Sequence, residues 1–274
     1  MNGLELLPAV ERGPSDGRWQ QFVWPVAVFV CGLIAWDLVV RFNAIPPYIL
    51  PGPLLVGQTL IADWPILSAS LGVTLLTALQ GFIAAAIGGI ALALLFNQSK
   101  WLEYSLLPYA VVLQVTPVIA IAPLMLIYLP QEAAVVACAW IVAFFPVLAN
   151  TTLGLNSVDR NLKGLFQLNG ASRWQTLRYL QLPSALPYML GGLRIAGGLS
   201  LIGSVAAEIA AGAAGAGSGL AYRITESGYR LNIPRMFAAL LLLSVAGIVI
   251  YMLLALASHQ MLRRWHESAL RKEK

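Results

Sequence analysis

Residues 165–183 run Leu165-Phe166-Gln167-Leu168-Asn169-Gly170-Ala171-Ser172-Arg173-Trp174-Gln175-Thr176-Leu177-Arg178-Tyr179-Leu180-Gln181-Leu182-Pro183. Asn169-Gly170 reads as the end of a helix, because both residue types tolerate the left-handed backbone of a C-terminal cap. Ser172 then opens a second helix, with Gln175 three residues on in the position that completes a capping box. Leu177, Leu180 and, less regularly, Trp174 fall at helical spacing on one side, with Arg173 and Arg178 elsewhere. Pro183 is expected to stop this helix, and Pro187 to fit the first turn of the next. The stretch is thus a short helix, a glycine corner and a second short helix. Its bland counterpart is an amphipathic linker lying on a lipid surface.

What surrounds the stretch is almost entirely apolar. Of 274 residues, 59% are hydrophobic and 11% charged, and the mean hydropathy is +0.76. An ordinary soluble chain is roughly 45–50% apolar and about 25% charged, so this composition excludes a water-soluble enzyme or nucleic-acid-binding domain. A helix crosses the hydrocarbon core with about 20 mostly apolar residues. Six stretches qualify, near residues 22–40, 68–96, 106–129, 133–155, 186–211 and 236–262. Pro117 and Pro123 are expected to kink the third. No stretch alternates with period two, as barrel strands do. The fold expected is all-α integral membrane, with about six transmembrane helices. Residues 1–21 form a polar leader, 22–262 the membrane domain, 156–185 its long internal loop and 263–274 a basic tail.

Charge placement gives the orientation. With the N-terminus in the cytoplasm, twelve of the 17 Lys and Arg residues lie inside: Arg12, Arg18, Lys100, Arg160, Lys163, Arg173, Arg178, Arg263, Arg264, Arg271, Lys272 and Lys274. Arg41, Arg223, Arg230 and Arg235 lie outside, and Arg194 sits at the edge of the fifth span. This bias predicts both termini in the cytoplasm of a multi-pass inner-membrane protein. The net charge of +5 is explained by topology and anionic headgroups, with no nucleic-acid partner. Residues 43–67 carry Pro46, Pro47, Pro51 and Pro53 and then a short helical patch ending near Trp64, an external and partly interfacial segment. Cys31 and Cys138 lie in apolar spans without metal-ligand spacing and read as small buried hydrophobes.

The spacing Gly170, nine residues, Leu180, one residue, Leu182-Pro183 resembles the signature loop of permease subunits of binding-protein-dependent ABC importers. That family's pattern is E-A-A, three residues, G, nine residues, I, one residue, L-P. Asn169 to Leu177, the run Leu182-Pro183-Ser184-Ala185-Leu186-Pro187, Gly192-Leu193-Arg194-Ile195-Ala196, Phe144-Phe145-Pro146 and Asn150 to Leu155 resemble the nitrate/sulfonate/taurine-type branch in particular. The run from Gly219 to Arg223, Arg230 to Arg235 and Arg264-Trp265-His266-Glu267-Ser268 looks more like permeases for pyrimidine or thiamine-precursor uptake. One departure stands out: Gly164, Leu165 and Phe166 replace E-A-A.

The resemblance implies an ATP-driven import permease. Its loop would dock as a coupling helix on a cytoplasmic ATPase, through Asn169, Gly170, Ala171, Ser172, Arg173, Trp174, Gln175, Leu177, Leu182 and Pro183. It also implies an external solute-binding protein and a second permease copy, a homodimer with the route between the two chains. Trp174 and Leu177 supply apolar anchors for such docking, and Arg173 charge at the rim. Gly212 to Gly219 is glycine-rich but lacks the Gly-Lys-Ser/Thr ending of a phosphate-binding loop, so ATP belongs to the partner and the chain holds no cofactor. That run is expected to be a flexible outer turn.

Charged groups inside spans are costly and need a reason. Glu208, beside Ser204, has two readings: a lining of the translocation path or its outer gate, or a structural hydrogen bond to a neighbouring helix. Arg194 is taken either as a path residue or, more simply, as a side chain snorkelling to the inner surface. Asp37 and Arg41 are an i, i+4 pair that neutralise each other. His259 and His266 lie at the solvated C-terminal end. Small residues (Gly81, Gly88 and Gly89 in the second span, and Gly191, Gly192, Gly197, Gly198 and Gly203 in the fifth) predict close helix packing. The rival function is a secondary transporter without an ATPase, which the loop spacing and the lack of an intramembrane relay of acids oppose. No cluster of His, Asp or Cys suggests catalysis or a metal.

Overall fold

The computed structural model describes residues 17–212 and 217–263. The helices are α1 (Gly17–Phe42), α2 (Pro53–Ala62), α3 (Trp64–Gln98), α4 (Lys100–Val115), α5 (Val118–Tyr128) and α6 (Gln131–Asn156), then α7 (Arg160–Leu168) and α8 (Arg173–Thr176). A π-helical turn (Leu177–Gln181) leads into α9 (Leu182–Ala211), followed by α10 (Leu220–Tyr229) and α11 (Ile233–Leu262). Among the described residues, α1, α3, α6, α9 and α11 are long and apolar enough to cross a membrane. The pair α4 and α5 adds a sixth span only as a broken one. The expected all-α membrane architecture is therefore what the chain adopts. The described part of the polar leader, residues 17–21, is already helical, and nearly all of the basic tail lies outside the described residues.

The third span departs from the expected kink. Its two halves meet at 101°, around Thr116, which is extended at φ −75° and ψ 123°. Pro117 drives its predecessor out of the helical region and offers no amide to carry the ladder across. Pro123 lies inside α5 and Pro108 inside α4 without ending either helix.

The packed centre is α3, α6 and α9. In lipid the apolar effect does not draw helices together, so close van der Waals fit must do it. Ala139 of α6 marks the tightest point. A Cβ added at Gly203 of α9 would lie 2.8 Å from the Cα of Ala139 and from the carbonyl oxygen of Cys138, and one at Gly81 of α3 would strike the Ala139 methyl. Gly203→Ala is therefore expected to lower the melting temperature in nanodiscs, by the ~1–3 kcal/mol typical of overpacking against backbone. Gly198→Ala, whose Cβ direction is open, should leave it nearly unchanged.

Peripheral helices are held at one edge. Trp36 of α1 stacks at 5.8 Å on Phe237 of α11, and Arg41 pairs with Asp37 at 2.7 Å. Most other α1 side chains are exposed. This corrects the reading of Cys31. It is exposed, whereas Cys138 is buried, because an apolar residue on a span that touches the bundle along one line faces lipid rather than protein. The segment before α3 is more integrated than an interfacial patch. Val56 of α2 packs with Leu67, Leu220, Ala238 and Leu242, and Asp63 accepts two bonds from Arg235, at 2.6 and 2.9 Å.

Candidate functional site

The elbow between α6 and α9 is built by local chemistry. The Asp159 side chain caps α7 by accepting from Asn161 N at 2.8 Å. At the other end Gly170 adopts φ +73°, Gly170 N donates to Gln167 O and Ala171 N to Phe166 O, each at 3.0 Å. This is the two-bond left-handed stop that glycine favours. Ser172 N then donates to Gln175 Oε1 at 2.7 Å, and Gln175 N donates to Ser172 Oγ at 3.2 Å. The corner and the capping box stand where the residues predict them.

Two expectations at the elbow need correction. Pro183 does not stop the second helix. Leu182 N donates five residues back to Leu177 O, and this wider turn resets the ladder just before the proline. The helix axis continues from Arg173 to Ala211. Leu177 is not a surface anchor either. It is 2% exposed and packs with Phe96, Leu148 and Leu155, because it lies one turn nearer the bundle than Trp174, where the same face already meets α3 and α6. Leu182 also leans on that core.

What the elbow leaves free is Trp174, 64% exposed, and a row on α7 that the sequence reading passed over: Leu162, Leu165 and Leu168, all exposed. Their spacing of three residues was visible in the sequence. No α7 residue is buried. Gln181, at the end of the π turn, is buried and exchanges hydrogen bonds with Asn97 near the end of α3, at 2.9 and 3.1 Å.

At the other end of α9, Glu208 is 4% exposed. Its Oε2 accepts from Thr74 Oγ1 of α3 at 2.9 Å and from Ala221 N at 3.1 Å. Thr74 Oγ1 in turn accepts from Leu220 N at 2.8 Å. The first two amides of α10, which lack partners within their own helix, are thus met by groups from α9 and α3. A Cβ at Gly219 would land on the Glu208 carboxyl. Of the two readings open for Glu208, this geometry supplies the structural one. Ser204, one turn away, is fully buried, and its Oγ has no hydrogen-bond partner among the described residues. Arg194 lies about 20 Å down α9 at 1.5 Å per residue. Its guanidinium faces the Tyr251 ring of α11 at 5.9 Å. The three residues do not form one cluster.

The arginines at this end are also committed. Arg223 and Arg230 both pair with Glu226, at 2.9 and 3.0 Å, and Arg235 pairs with Asp63. Part of the glycine-rich run, residues 213–216, lies outside the described residues. Gly212 closes α9 at φ +57°.

A family model described as the inner membrane component of binding-protein-dependent transport systems matches residues 81–264, from the middle of α3 through the elbow to the end of α11. The chain belongs to this family. The permease is 32% identical over 274 residues to the riboflavin transport system permease protein RibX of Chloroflexus aurantiacus, covering 96% of this chain and 99% of that one. It is 32% identical over 234 residues to the formylaminopyrimidine transport permease protein ThiX of Halalkalibacterium halodurans, covering 85% and 92%. Among solved structures, an amino acid ABC transporter crystallised with histidines matches with a TM-score of 0.62, over 74% of this chain and 97% of that one. At 20% identity that likeness speaks to the fold. The protein is an ABC importer permease, a multi-pass membrane transport component and not an enzyme.

Proposed function

We propose that this permease takes a heteroaromatic vitamin or vitamin precursor from an external binding protein and passes it between two copies of the chain. In this reading residues 160–176 are the contact with a cytoplasmic ATPase. The observation that carries the reading is the elbow. Two short helices, the first with Leu162, Leu165 and Leu168 bare at its surface and the second with Trp174, are joined by a glycine stop and a reciprocal cap. Rigid, exposed apolar anchors of this kind supply most of the affinity in protein interfaces. Arg160, Lys163, Arg173 and Arg178 gather there, which supports a cytoplasmic elbow and cytoplasmic termini.

The cargo class rests on the riboflavin and formylaminopyrimidine relatives, and on the three far-end arginines being paired with Glu226 and Asp63 rather than left unpaired to collect an anion. Glu208 serves as a clasp that keeps α10 against α3 and α9 at the outer end. A secondary transporter would have no use for the braced apolar elbow.

Gly170→Val tests the elbow. A β-branched residue at φ +73° carries ~1–2 kcal/mol of left-handed strain in a position with open space around it. The variant is expected to insert and fold but to lose ATPase co-purification and ATP-dependent uptake, while Gly170→Asn keeps both. Normal uptake by the valine variant would refute the assignment. For the cargo, the ligand retained by the partner binding protein should be a flavin or pyrimidine; a bound nitrate or sulfonate would overturn that part.

A further inference from the structure

The elbow reaches α3 through very little. α7 packs extensively on none of the long helices, and the π turn packs mainly on α8, α9 and α6. A cavity of about 320 Å³ separates the elbow from the end of α3, with Lys163, Gln167 and Arg173 on one side and Asn97 and Gln98 on the other. One polar link spans it. Asn97 Nδ2 donates to Gln181 Oε1 at 2.9 Å, Gln181 Nε2 donates to Asn97 Oδ1 at 3.1 Å, and Gln181 Nε2 also lies 3.4 Å from Leu155 O at the end of α6. Three long elements therefore meet at one amide that is 5% exposed.

A reciprocal amide pair resists sliding as well as pulling, because displacement in either direction breaks both bonds. Apolar contacts such as Leu177 on Phe96 slide at little cost. Burial raises the stakes, since an unpaired amide in a low-dielectric site loses its bonds without replacement by water. A π turn inside a span is also a feature that recurs at functional sites, and here it delivers Gln181 to α3.

We infer that Asn97 and Gln181 are positioning residues that transmit displacement of the elbow to α3 and α6, so that closure of the ATPase moves the membrane helices. This rests on the elbow being the ATPase contact. The experiment uses the whole transporter in proteoliposomes, in a Cys31→Ser background with Thr77→Cys as reporter on the far half of α3. Reactivity of that cysteine toward a membrane-impermeant maleimide is compared without nucleotide and after trapping with ATP and vanadate.

The parent should change reactivity about tenfold between the two states, within the range of ordinary coupling energies. Gln181→Met and Asn97→Leu should keep ATPase binding and hydrolysis but lose most of that change. The double variant should be no worse than either single one. The exchanged pair Asn97→Gln with Gln181→Asn should recover it, which a general packing defect would not allow. If the apolar variants fail to fold, Asn97→Asp decides the matter: it keeps the shape and one of the two bonds, and should weaken the change without abolishing hydrolysis. Unaltered trapping responses in these variants would overturn the strut and leave the elbow contact standing. A parent that neither binds the ATPase nor responds to trapping would overturn the elbow contact itself.

Discussion

Gly219→Ala should detach α10 and abolish transport, although it adds one methyl group. The added Cβ falls where the Glu208 carboxyl sits, so the carboxyl must leave Ala221 N and Thr74 Oγ1, its two donors. A buried carboxyl stripped of its hydrogen bonds costs ~3 kcal/mol or more, and the α10 amide of Ala221 loses its cap as well. Glu208→Gln keeps the volume and one acceptor and should be much milder. Combining Gly219→Ala with Glu208→Ala returns the space, and should restore part of the thermal stability lost by Gly219→Ala alone. Melting in nanodiscs, paired with ATP-dependent uptake, reads both effects. If Gly219→Ala behaves as the parent does, the clasp is not holding α10.

Trp174→Ala should weaken ATPase binding about thirtyfold or more, the equivalent of ~2 kcal/mol for loss of a central aromatic anchor, without lowering the melting temperature. Its ring is largely exposed and makes no part of the core. Leu177→Ala should do the reverse. Removing a side chain that is 2% exposed leaves a cavity costing ~2–5 kcal/mol, so the melting temperature falls before any change in affinity. Titration of the solubilised permease with its ATPase separates the two. Equal loss of affinity in both variants would argue that the elbow acts only through the fold.

The parts of this site that could be read in the sequence are those fixed within a few residues. Gly170 and the Ser172–Gln175 box bond to neighbours three to five positions away, so residue type and spacing determine them. The same holds for Asp37 with Arg41. Leu177 could not be placed from spacing, because its face is set by where α3 and α6 end relative to the turn. Pro183 continues the helix instead of ending it, because Leu182 N bonds five residues back to Leu177 O, and such a bond has no sequence signature. Pro117 and Pro123 look alike in sequence, yet only the first breaks the span. Glu208 is ambiguous in sequence for a different reason: its partners Thr74 and Ala221 lie on two other helices, and nothing local announces that they converge.

The central claim, that the elbow is the ATPase contact, is tested most directly by cross-linking from position 174. In the Cys31→Ser background, Trp174→Cys carrying a short photo-reactive maleimide is irradiated in membranes that contain the complete transporter. The account predicts an adduct with the ATPase subunit, together with protection of that cysteine from an impermeant reagent applied from outside the cell. Labelling of residue 174 from the outside, with no ATPase adduct, would contradict it.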